Sequence, residues 1–340
     1  MRRSLSLGTA LFLGLQASAS LAETPRVVAD IAPVQALVAR VMQGVGTAEL
    51  IIPADASPHG YAMRPSEARA LIGAALIVTV GPALTPWLEE PIQALAPDAR
   101  RLVLMEAEGM RVMPFREGAS FAHDHGHEED AHGQEDHAEK EEDHDHDHAH
   151  DAHEDHAEEE HAEDAHDHGA DDPHIWLDPV NGAAALAAIA AALAEIDPAN
   201  AESYRQNAAA GQAELTALVA DLSARLEAAR GKPFIVFHDA FHYFEARFGV
   251  EASAAVSAGD AASPGAARIA ELREHVAEAT PVCAFAEPQM NTAVLQTVIE
   301  GQGARLAVLD PLGSTLEQGP ALYPQLLEKM AQTIADCLAE

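Results

Sequence analysis

Histidine is the residue whose number and spacing promise chemistry in this sequence. The chain has 19 of them, of two kinds. Fourteen crowd into residues 123–168, among Asp, Glu and Ala: His123, His125, His127, His132, His137, His144, His146, His148, His150, His153, His156, His161, His166 and His168. Runs such as Asp143-His144-Asp145-His146-Asp147-His148 set imidazole beside carboxylate repeatedly. Neutral imidazole is a borderline ligand that suits zinc, copper and nickel. The surrounding acids concentrate cations, and metal there must compete with protons at low pH. His-rich tracts read as metal binding; the plainer reading is an acidic linker whose histidines are compositional drift. The tract has no apolar face to bury, so 123–171 is expected to be a disordered, solvated loop. It would gather metal weakly at many points without making one ordered site.

Four other residues stand alone where strands should end or turns begin. His59 lies in Ser57-Pro58-His59-Gly60-Tyr61, and His174 in Asp172-Pro173-His174-Ile175-Trp176-Leu177-Asp178-Pro179. His238 closes the apolar run 234–237, and Asp310 closes 306–309. Any one of these histidines, taken singly, reads more readily as a hydrogen-bonded structural residue. Together they lie where open α/β sheets bind ligands, beyond the carboxyl ends of strands. Three imidazoles with one carboxylate or water make a tetrahedral zinc set, with Zn–N near ~2.0–2.1 Å. His238 and His242 are also spaced i, i+4, which on one helix face could hold a metal. A zinc peptidase needs Glu after the first His as base; Asp239 stands there, and His238 ends a strand. His242 therefore reads as cleft-lining, His275 as a helix-surface residue, and Trp176 and Tyr61 as packing beside the site. Asp239 or Glu287 could orient a ligating ring through its other nitrogen.

The elements that must position these residues alternate. Residues 26–29, 49–52, 76–80 and 101–105 read as strands, with helices over 33–42, 65–72 and 84–95 between them. Strands over 234–237, 250–255, 282–285 and 306–309 follow later, with helices over 266–279, 292–300 and 323–338. Apolar runs without strict alternation imply strands buried on both faces, as in parallel sheets. Between the two sets lie helical patterns over 181–196 and 199–230, split at Asp197-Pro198, where Pro198 can open the second helix. That second run of about 32 residues would span roughly 48 Å, a strut between lobes. The expected fold is α/β: two lobes, each with a roughly four-stranded parallel sheet flanked by helices, joined by a long rigid backbone helix. The N-terminal lobe is 23–180, the helical linker 181–230 and the C-terminal lobe 231–340.

The 340 residues and 48% apolar content allow a sizeable core, but the net charge of −35 is unusual. It would repel nucleic acid and anionic membrane surfaces, which leaves cations as partners. Residues 1–22 read as a secretory signal peptide: Arg2 and Arg3, a short apolar run, then Ser20-Leu21-Ala22 as a cleavage site. That run is too short to span a bilayer, and no later stretch reads as long enough. The mature chain is expected outside the cytoplasm. Two cysteines, Cys283 and Cys337, suggest one disulfide in an oxidising compartment, with two buried free thiols as the alternative.

With these motifs in hand, the sequence resembles the zinc-specific periplasmic solute-binding proteins of bacterial ABC importers (ZnuA-type, cluster A-I). The likeness rests on the motifs around His59 and His174, on Phe237-His238-Asp239-Ala240-Phe241-His242-Tyr243-Phe244, and on Leu309-Asp310-Pro311-Leu312-Gly313. Ala286-Glu287-Pro288-Gln289 and the two cysteines fit as well. The resemblance implies one zinc held in the interlobe cleft. His59 and His174 come from the N-terminal lobe and His238 from the C-terminal lobe. Asp310 aligns with a carboxylate that binds metal in manganese-type relatives; in zinc members water often takes that place, so Asp310 stands as a candidate fourth ligand. Some zinc members carry an acid before the first His, where this chain has Pro58. The implied partners are an importer's membrane permease and its cytoplasmic ATPase.

The expected function is therefore periplasmic capture and delivery of Zn²⁺ by a monomer that is not an enzyme, with the His-rich loop as auxiliary collector. The alternatives are a manganese- or nickel-binding relative and an extracytoplasmic metal buffer. A zinc hydrolase would need an open coordination position and a Glu base, and no convincing His-Glu-x-x-His is present.

Overall fold

The computed structural model describes residues 24–116, 171–257 and 265–339. The expected signal peptide (1–22) and the fourteen histidines of 123–168 lie outside the described residues.

The first lobe is built on β1 (Val27–Ala29), β2 (Ala48–Leu50), β3 (Leu76–Thr79) and β4 (Arg100–Val103). The second is built on β5 (Phe234–His238), β6 (Ala254–Ser257), β7 (Cys283–Ala286) and β8 (Arg305–Val308). Strand orders are β2-β1-β3-β4 and β6-β5-β7-β8, the same winding twice, and all six pairings are parallel. The central strands β1, β3, β5 and β7 are buried at every residue, which is why their sequences run apolar without alternation. In the first lobe α1 (Ala32–Val41), α2 (Pro65–Leu71) and α3 (Glu89–Leu95) make the crossovers.

Between the lobes run α4 (Pro179–Ile196) and α5 (Ala201–Leu226). The expected 32-residue helix is a 26-residue α-helix with a 3₁₀ turn at each end, Pro198–Asn200 and Glu227–Ala229. Nor is it a free strut: α5 packs along α4 and also meets α1 of one lobe and α9 (Leu322–Ala339) of the other. By length and composition α4 could cross a membrane, contrary to the sequence expectation. Half of it is buried inside the protein, and its Ala- and Leu-rich face packs on α1 and α5.

The second lobe adds α6 (His242–Phe248), α7 (Ala266–Ala279) and α8 (Thr292–Ile299). Its first crossover differs from expectation at one strand: β6 begins at Ala254, after an irregular approach that the apolar residues Val250 and Ala252 make look like strand. Cys283 of β7 and Cys337 of α9 form a disulfide with Cα atoms 6.1 Å apart, closing a separation of 54 residues. Such a loop is worth about 4 kcal/mol in the chain-entropy model.

Candidate metal centre

Residues beyond the carboxyl ends of β2, β5, β7 and β8 line one pocket together with His174, and the candidate ligands come from there. His238 is the last residue of β5, its direction set by the strand. His59 lies in the irregular stretch between β2 and α2. His174 precedes the 3₁₀ turn Ile175–Leu177, which leads into α4.

One ring nitrogen of each of His59, His174 and His238 can be chosen so that all three lie within 4.8 Å of one another. Among the described residues no other group of three or more His, Cys, Asp or Glu side chains converges in this way. His174 and His238 are each 2% exposed, while His59 is part-exposed. The ring centroids are 4.9–5.4 Å apart and none of the pairs is stacked flat. Among the described residues, neither ring nitrogen of buried His238 has a hydrogen-bond partner. A buried imidazole in that condition is costly unless something else coordinates it, and a metal ion would.

Carboxylates stand behind two of the rings. Asp172 Oδ1 accepts from the His174 backbone N–H at 2.9 Å and lies 2.7 Å from His174 Nδ1. Glu287, just past β7, sits with Oε2 3.6 Å from His238 Nδ1, an electrostatic contact too long for a hydrogen bond. Burial pulls the His238 pKa down, but the charges of Glu287, Asp239 and Asp172 outweigh it and leave it raised. Burial pushes the Asp172 carboxyl up to about 7.

Asp310 is not brought into the group. Its carboxylate accepts the backbone N–H groups of Leu312, Gly313 and Ser314 and the Ser314 hydroxyl, at 2.6–3.1 Å. It organises the turn after β8. His242 opens α6 with Nδ1 3.8 Å from Asp172 Oδ2, outside the histidine group, and burial with the Arg116 charge lowers its pKa. His275 is part-buried on α7 and belongs to no such group.

The sequence reading missed three supports. Asp172, two residues before His174, orients that ring; the i, i+2 spacing of an Asx turn was the available signal. Asp239, expected behind a ring, is instead forked by Arg116, which also reaches Glu245 Oε2 at 2.7 Å. Trp87 donates its indole N–H to Pro58 O at 2.8 Å, beside His59. The last two join residues 123 and 29 positions apart, which no local pattern reveals.

Two parallel α/β lobes, bridged by a long helix and meeting at a cluster of imidazoles, have the architecture of a bilobal solute-binding protein. The chain belongs to the ZnuA family: the model described as "Zinc-uptake complex component A periplasmic" matches residues 27–337. A "High-affinity zinc uptake system protein ZnuA" of Paracoccus denitrificans is 43% identical over 339 residues, 99% of each chain. One of the same name from Brucella suis is 41% identical over 338 residues, 99% of this chain and 98% of that one. Among solved structures, a crystal structure of ZnuA superposes with a TM-score of 0.70 at 22% identity, over 93% of this chain and all of that one. A solute-binding protein of Pseudomonas aeruginosa in complex with Mn²⁺, FpvC, gives 0.71 at 18%, over 93% and 99%. These structural likenesses bear on the fold.

Proposed function

We infer that this chain captures Zn²⁺ with His59, His174 and His238 and delivers it to the membrane permease of an ABC importer powered by a cytoplasmic ATPase. The observation that carries the reading is the convergence of three imidazoles from separate parts of the chain, two of them buried. An all-nitrogen set favours zinc over manganese, which prefers oxygen. Asp310 is occupied with its own turn, so water takes the fourth position. The carboxylates of Asp172 and Glu287 raise the basicity of the ligating rings, as outer partners of metal ligands do.

The His-rich stretch acts as an auxiliary collector in the periplasm, after removal of a signal peptide near Ala22. The described residues that flank it are held together: Pro114 and Asp171 form an antiparallel bridge, and Asp172, whose carboxylate holds His174, donates its N–H to Met113 O at 2.8 Å. Ions gathered along it would be concentrated next to His174.

The test is a zinc titration in competition with a calibrated chelator, on the chain with and without residues 123–168. One tight site that survives the deletion and disappears in His59→Ala supports the reading. Loss of all tight binding with the deletion would make the chain a metal buffer instead.

A further inference from the structure

The three imidazoles do not share one support. His174 lies in 172–178, which leads out of the first lobe in sequence; Asp172 N–H bonds Met113 O there, but Met113 N–H is itself bonded to the Tyr243 hydroxyl, so both strands of this contact are fastened to the second lobe. Tyr243 of α6 donates its hydroxyl to Asp172 O at 2.7 Å. Arg247 of the same helix forks onto Asp178, with bonds of 2.8 and 2.6 Å. Asp178 is fully buried, so losing this partner would strand a charge in the interior. Tyr323 of α9 donates to Trp176 O at 2.6 Å. It reaches there because residue 182 is glycine: a Cβ would fall 2.3 Å from the Tyr323 hydroxyl. Trp176 in turn donates its indole N–H to Pro311 O at 2.9 Å. His238 ends a strand of this same lobe. His174 and His238 therefore ride on one body.

His59 is held from the other side. Trp87, in the 3₁₀ turn before α3, anchors Pro58 O. The Tyr61 hydroxyl donates to Glu67 Oε1 of α2 at 2.7 Å, and Glu67 Oε2 accepts the Arg64 N–H at 2.6 Å. Both are first-lobe elements. The stretch between β2 and α2 has no regular structure; one of its links to the second lobe is Gln289 Nε2 to Ala54 O at 3.0 Å.

We propose that zinc is captured in two stages: the His174–His238 pair, preassembled on the second lobe, takes the ion first, and His59 then closes on it. Trp87 is the positioning residue that sets how long the closed form lasts. The proposal rests on the zinc-capture reading above. A rigid pair loses little freedom on binding, so the remaining ordering cost falls on the His59 stretch. Changes to that stretch therefore act on dissociation, where most affinity tuning resides.

The test uses the full chain with limiting Zn²⁺, following arrival by tryptophan emission, which in Trp87→Phe comes from Trp176 alone, and departure by transfer to excess chromogenic chelator. Trp87→Phe keeps a ring and removes the N–H donor. It should raise the off-rate about five- to tenfold and leave the on-rate within about twofold. His59→Ala should also leave the on-rate near wild type and raise the off-rate further, whereas His238→Ala should slow arrival itself. An on-rate that falls in His59→Ala as far as the off-rate rises would overturn the order of events. An unchanged off-rate in Trp87→Phe would overturn the role of that residue. Wild-type kinetics in both His59→Ala and His238→Ala would sink the zinc site itself, and the proposal with it.

Discussion

Asp172 holds the backbone and the ring of His174 with the same carboxylate oxygen, Oδ1, at 2.9 and 2.7 Å. That double grip fixes both where the imidazole starts and which way it faces. Asp172→Ala should therefore weaken zinc binding by about 10- to 100-fold, the usual cost of losing an outer partner of a metal-ligating His. Asp172→Asn, which keeps an acceptor, should cost less. Chelator competition on both variants checks the order; equal affinity in Asp172→Ala and wild type would contradict it.

Arg116 is 15% exposed at its side chain and meets two carboxylates, Asp239 and Glu245, that are 4% and 1% exposed. Burial already raises the Glu245 pKa, and Arg116 is the charge that opposes this. Arg116→Met should destabilise the fold by about 3–5 kcal/mol, because it leaves buried charge without a partner. Adding Asp239→Asn and Glu245→Gln should recover most of that loss. Urea unfolding of the single and triple variants reads it directly.

Asp30 follows β1 and is fully buried, with Oδ1 on the Ile31 N–H and Oδ2 on the Val80 N–H. Burial pushes its carboxyl from 3.8 up to about 7, against those backbone bonds, which pull it down. The folded value lies above the unfolded one, so the folded chain holds a proton that the unfolded chain releases. The stability this group contributes is complete below its unfolded value and is lost as pH rises through about 7. Between those limits the slope is at most about 1.4 kcal/mol per pH unit. In metal-free protein, wild type should lose more unfolding free energy than Asp30→Asn between about pH 5.5 and 7.5. Parallel slopes would refute the assignment.

The disulfide joins the first residue of β7 to the far end of α9. Glu287 follows the opposite end of β7, and Tyr323 lies at the opposite end of α9. Cys337→Ser should cost about 4 kcal/mol of stability yet leave zinc affinity within about twofold of wild type. A large affinity loss would mean that the bond shapes the site as well as the lobe.

Much of this arrangement is legible in the sequence because the central strands are short, apolar and buried on both faces. Runs such as Leu76–Thr79 and Phe234–His238 stand out between helical patterns. His238 stands out because it is the polar residue that ends such a run, whereas His59 and His174 stand out in turn motifs, Ser57-Pro58-His59-Gly60 and Asp172-Pro173-His174. What was hidden depends on distance in the chain. Asp310 is a different case: its carboxylate accepts backbone N–H groups only two to four residues on, a turn that is local in sequence. Glu245 is buried against Arg116, 129 residues earlier, a pairing that no local pattern carries. Residues 250–253 read as strand because Val250 and Ala252 are apolar; both are buried, but the pairing with β5 begins only at Ala254.

The chain has two tryptophans. The indole of Trp87 is bonded to the carbonyl before His59, and the ring of Trp176 lies 5.3 Å from that of His174. All of the protein's indole emission therefore originates within one residue contact of the histidine cluster. The molecule carries an intrinsic optical gauge of that cluster, one lamp on each lobe's grip, needing no label. Trp87→Phe and Trp176→Phe would divide the signal between the arriving His59 and the seated His174.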